Sequence, residues 1–80
     1  PDLKIYPNPV SNNLYVHSGN IGKNSVWYIF NSFGQQLMKI KTAGQHNVIN
    51  VKELPPGLYI LLLQDENNIL TEKFIKVGTP

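Results

Sequence analysis

The sequence predicts an all-β domain, a sandwich or a barrel, and three observations carry that expectation. Apolar and polar side chains alternate along short runs, the period of a half-buried strand. Clusters of Gly, Asn, Ser and Pro punctuate the runs about every ten to twelve residues, the spacing of strands joined by turns. No segment of about ten residues or more keeps a helical period between its own capping residues.

The predicted strands are Leu3 to Tyr6, Leu14 to His17, Ser25 to Asn31, Gln36 to Lys41, Asn47 to Val51, Gly57 to Gln64 and Ile69 to Val77. In the second, Leu14 and Val16 share one face and Tyr15 and His17 the other; in the fifth, Ile49 and Val51 oppose Val48, Asn50 and Lys52. Consecutive side chains on a strand point to opposite sides, so each of these runs has a core face and a wetter one. The sixth, apolar on both faces from Gly57 to Leu63, belongs at the centre of a sheet. The seventh keeps its phase open. Phe74 has the opposite parity from Ile75 and Val77, which calls for either a bulge or an exposed apolar face.

Gly and Asn tolerate positive φ and Pro holds φ at about −65°, so the gaps read as turns. Ser18-Gly19-Asn20 with Gly22-Lys23-Asn24 forms a long loop. Asn31-Ser32-Phe33-Gly34 and Thr42-Ala43-Gly44-Gln45 form tight turns, and Asp65-Glu66-Asn67-Asn68 closes the last hairpin. Pro55-Pro56-Gly57-Leu58 fits a type II turn with Gly57 where positive φ is required.

Eighty residues make one small domain, and a chain this short buries only about 60% of its unfolded surface. Apolar residues at 41% suffice for a core, and charged residues at 15% are too few for a disordered polyelectrolyte. Seven lysines, five acids and no arginine give a net charge of +2, without the concentrated basic stripe of a nucleic-acid binder. The absence of cysteine removes disulfides, thiolate nucleophiles and the usual structural zinc sites. Leu58 to Leu63 is the longest apolar run, far short of the roughly 20 residues of a transmembrane helix, so no transmembrane segment is expected. Pro1 is not a natural start, and the expectation is a single domain over 1–80, with its core over 3–77, excised from a longer protein.

The residues that could carry chemistry are sparse. His17 and His46 lie on separate segments without cysteine or an acid at ligand spacing, and read as surface histidines rather than a metal site. Asp65 and Glu66 are adjacent in a turn and point apart, unlike the facing carboxyls of a glycosidase. Ser11, Ser18, Ser25 and Ser32 include no nucleophile elbow, and no glycine-rich phosphate loop is present. Trp27, Tyr28 and Phe30 share a strand and could form a sugar-binding face with Tyr6, Tyr15 or Tyr59, although core packing with tyrosines at the edges accounts for them as well. Neither a catalytic group nor a metal or other cofactor is expected.

Four motifs occur in order along the chain: Pro7-Asn8-Pro9, then Asn31-Ser32-Phe33-Gly34, then Leu54-Pro55-Pro56-Gly57-Leu58-Tyr59, and finally Thr71-Glu72-Lys73-Phe74-Ile75-Lys76-Val77. In that order and spacing, from Tyr6 to Val77, the chain resembles the C-terminal sorting domain of the bacterial type IX secretion system. The resemblance implies an immunoglobulin-like β-sandwich of about seven antiparallel strands, carried at the end of secreted cargo in Bacteroidetes-type bacteria. It implies an address rather than a catalyst. The cargo reaches the periplasm by its own leader, and the domain directs it through an outer-membrane translocon to the cell surface or beyond. The implied partners are translocon and shuttle proteins, a sortase-like surface protease that removes the domain, and the cargo domain preceding it in cis.

Within that reading, Lys73, Phe74, Ile75, Lys76 and Val77 are the expected contact element, because lysines beside apolar groups on an edge suit docking by strand addition or into a pore. Edge lysines also serve simply to block aggregation. Pro7, Asn8, Pro9, Gly34, Leu54, Gly57 and Tyr59 are expected to be structural: two prolines stop the first strand, and the glycines and Tyr59 shape turns and fill the core. The rival from another class is a fibronectin-like or carbohydrate-binding accessory module that uses the aromatics, and a second rival is an adhesion repeat.

Overall fold

The computed structural model describes residues 3–19, 24–42, 44–66 and 68–78. Predicted turn positions 20–23, Ala43 and Asn67 lie outside the described residues, as do Asp2 and the last two residues. The strands are β1 (Leu3–Tyr6), β2 (Asn13–Ser18), β3 (Val26–Asn31), β4 (Gln36–Lys41), β5 (His46–Asn50), β6 (Gly57–Gln64) and β7 (Ile69–Lys76). Each lies within a residue of its predicted bounds, and the described residues include no helix.

The strands form two sheets, β1-β2-β5 and β4-β3-β6-β7, and every strand pair is antiparallel. Apolar side chains from the two inner faces interdigitate. Leu14 and Val16 of β2 and Ile49 of β5 meet Trp27 and Ile29 of β3, Tyr59, Leu61 and Leu63 of β6 and Phe74 of β7. β1 comes against β7 on one side of the sandwich. As the two-sided apolar pattern requires, β6 is central, between β3 and β7. The three-plus-four division, a buried Trp on the third strand and a Tyr59 hydroxyl that donates to the Pro55 carbonyl upstream are the marks of an immunoglobulin-like sandwich.

Local chemistry accounts for the turns that are described. Gly34 sits at φ 85° and its amide donates to the Asn31 carbonyl at 3.0 Å, closing the β3–β4 turn. The Asn31 Oδ1 accepts from the amides of Phe33 and Gln35, a side chain standing in for a turn's backbone acceptor. A bulge at Leu37 follows, since Ile29 pairs with Met38 but Phe30 pairs with Gln36.

Two expectations are resolved or corrected. β7 keeps an unbroken register with β6, so its mixed parity produces an exposed apolar face rather than a bulge. Gly57 has φ 157°, not the +80° or so of the third position of a type II turn. It opens β6 opposite Lys76 instead, and the tight turn lies earlier, where the Leu54 amide donates to the Val51 carbonyl at 3.0 Å.

Candidate functional site

The four sequence motifs converge on one end of the four-stranded sheet. Asn31 at the end of β3 pairs with Tyr59 of β6, and Tyr59 pairs with Phe74 of β7, placing three motifs in one transverse row. The rings of Tyr59 and Phe74 stack at 5.6 Å, and Leu54 packs half-buried against the same core. This row is the floor beneath the end of β7.

The remaining motif is the wall. Pro7 and Pro9 have no amide hydrogens, so the stretch cannot run on as a regular ladder strand. The Asn8 side chain supplies what the backbone cannot: its Oδ1 accepts from the Ile75 amide at 2.9 Å and its Nδ2 donates to the Lys73 carbonyl at 3.2 Å. One step further, the Val10 amide donates to the Ile75 carbonyl and the Val77 amide donates to the Val10 carbonyl, both at 2.8 Å. Val10 itself is buried and bridges Lys76 in parallel. Residues 8–10 therefore fill the outer edge of β7 from Lys73 to Val77.

This geometry divides the five residues between two faces. Phe74 and Lys76 point inward, at 0% and 3% exposure, and the Lys76 Nζ donates to the Val77 carbonyl at 3.0 Å. Lys73, Ile75 and Val77 face solvent, the last two at 47% and 40% exposure. Along this edge the Ile75 and Val77 amides and the Lys73 and Ile75 carbonyls already have partners within the chain, which leaves little for an added strand to pair with. What this end offers is a face, on which Ile75 lies beside Leu58 and Lys73 beside Ile60, with Phe30 next in the row.

The other sequence candidates separate cleanly. Trp27 is wholly buried in the core, so it is no part of an exposed sugar platform. The Asp65 Oδ1 accepts from the Asn68 amide while the Glu66 Oε1 accepts from the Asn24 side chain, and the two carboxylates serve different partners. Among the described residues, no group of three or more His, Cys, Asp and Glu is disposed to hold a metal ion. Among the described residues, no helix is long and apolar enough to cross a membrane. One juxtaposition has no local sequence signal: His17 and His46 stand opposite each other on β2 and β5. Two intervening strands hide that pairing from any reading of nearby residues.

The four motifs of this immunoglobulin-like sandwich thus meet around the end of its last strand. Comparison with protein families matches residues 4–77 to the secretion system C-terminal sorting domain, and the chain belongs to that family. It is a type IX secretion C-terminal sorting signal, the mark of a secreted protein that interacts with the type IX machinery. A sorting signal is not itself a catalyst. No curated protein matches the chain.

Proposed function

We propose that residues 1–80 act as one sorting domain whose recognised element is the outward face of the last strand, Lys73, Ile75 and Val77, with Phe74 and Lys76 anchoring that strand from within. The observation that carries the reading is the Asn8 clamp. It fixes the end of β7 against the body of the domain and leaves an apolar face with a lysine beside it for a partner to read. Pro7, Asn8, Pro9, Gly34, Leu54, Gly57 and Tyr59 then serve presentation rather than contact. In the same reading, translocon and shuttle proteins carry the cargo from the periplasm across the outer membrane. A sortase-like surface protease then releases the domain from the cargo that precedes it in cis.

The test is a periplasmically targeted fluorescent reporter fused to residues 1–80 in a type IX-competent bacterium. Lys73→Glu and Ile75→Asp, both at exposed positions, are expected to leave the reporter folded in the periplasm while the parent fusion is released. Unchanged release of both variants would overturn the assignment of the face.

A further inference from the structure

The His17–His46 pair belongs to none of the four motifs. It lies on the other sheet, on the outward face of β2 and β5. The Ser18 amide donates to the Gln45 carbonyl at 3.0 Å, which makes the neighbouring His17 and His46 a pair without ladder hydrogen bonds. Such pairs have the closer backbones and side chains of an antiparallel ladder. The rings lie 4.3 Å apart between centroids, and the two Nδ1 atoms are separated by 3.1 Å.

That separation is a chelate bite. With metal–imidazole bonds of about 2.0–2.1 Å, two nitrogens 3.1 Å apart subtend about 98° at a shared ion. The angle falls between the roughly 90° of adjacent ligands in tetragonal geometry and the roughly 109° of a tetrahedron. Without metal, the contact needs a proton on one Nδ1 and a lone pair on the other. When an ion takes the position between the rings, that proton is relocated to Nε2 of the same ring through solvent. A modest rotation of each ring then turns both Nδ1 lone pairs onto the metal, and no net proton is gained or lost. Imidazole donors suit borderline ions, with Cu²⁺ ahead of Ni²⁺ and Zn²⁺.

We infer that His17 and His46 form a cross-strand bidentate site for a divalent transition-metal ion, with water completing its coordination. His46 is exposed and His17 half-buried, so the ion enters from solvent. Lys4 of β1 is paired with His17 on its other side and is the charged residue in register with the site. Its ammonium opposes the bound cation, and this is a site for an ion of high imidazole affinity rather than for calcium or magnesium. A bound ion would tie β2 to β5.

Calorimetric titration of the 80-residue chain with CuCl₂, NiCl₂ and ZnCl₂ in a non-chelating buffer tests the site. One ion is expected per chain, with Cu²⁺ tightest and a melting temperature that climbs with ion concentration, since only the folded pair chelates. His17→Gln and His46→Gln are each expected to weaken Ni²⁺ binding by about tenfold or more while the metal-free far-ultraviolet spectrum stays that of the parent. Ni²⁺ broadening of amide signals in the parent chain, which requires no variant, is expected to centre on both strands at positions 17 and 46. Absence of binding, equal affinity in either single variant, or broadening centred elsewhere would each overturn the assignment.

Discussion

β4 and β7 bound the same four-stranded sheet, yet their outer edges are finished differently. β7 is capped from Lys73 to Val77, the residue just past its end, by the Asn8 side chain and the bridging residue Val10. β4 is the outermost strand on the opposite side and relies on Lys39, Lys41 and a bulge at Leu37. Both devices discourage another chain from adding on, the one by occupying backbone groups and the other by charge and twist. The difference teaches where rigidity is invested. The edge that carries the fourth sequence motif is held by hydrogen bonds, and the opposite edge is merely protected.

The strongest way to break that contrast is from inside. Phe74→Ala removes the ring that anchors β7 in the core and stacks on Tyr59, and is expected to cost about 3–5 kcal/mol in urea denaturation. Next comes the clamp itself. Asn8→Ala deletes two hydrogen bonds to the β7 edge and is expected to cost about 1–3 kcal/mol, with faster hydrogen exchange at Ile75 as its local signature. An unchanged Ile75 exchange rate in that variant would show that the edge is held by something else.

The comparison can also be sharpened without any substitution. In an ordinary edge strand, alternate amides face solvent and exchange readily. The Ile75 and Val77 amides are expected to be protected, because Asn8 and Val10 accept from them. Thr42 donates to the Ser25 carbonyl across the β3–β4 ladder, so by alternation the amides of Lys39 and Lys41 point away from β3 and are expected to exchange much faster. The smallest effect belongs to Lys39→Ala, an exposed position whose loss should stay within about 0.5 kcal/mol of the parent stability.

What the sequence revealed follows from what is local. Strand positions were legible because alternation and turn residues act over a few neighbours, and the inward set of Leu14, Val16, Ile49 and Val51 followed from parity alone. The end of β7 was legible only in part. Phe74 announces one inward position, but a lysine two residues later reads as outward until the intact β6–β7 register carries it inside as well. The order of the motifs pointed to the family, yet not to their meeting in one place. Asn8 and Ile75 are 67 residues apart, and no periodicity encodes a side chain that substitutes for a strand. The histidine pair escaped for the same reason, since β2 and β5 become neighbours only through the topology.

The clamp gives the last strand a dependence on the first few residues. A chain still lacking residues 73–77 has nothing for Asn8 to hold. A chain whose opening segment has not docked shows β7 with bare amides and carbonyls along its margin. The margin of the last strand is therefore complete only in a domain folded from Asn8 through to Val77, so the two ends of the fold share one fate.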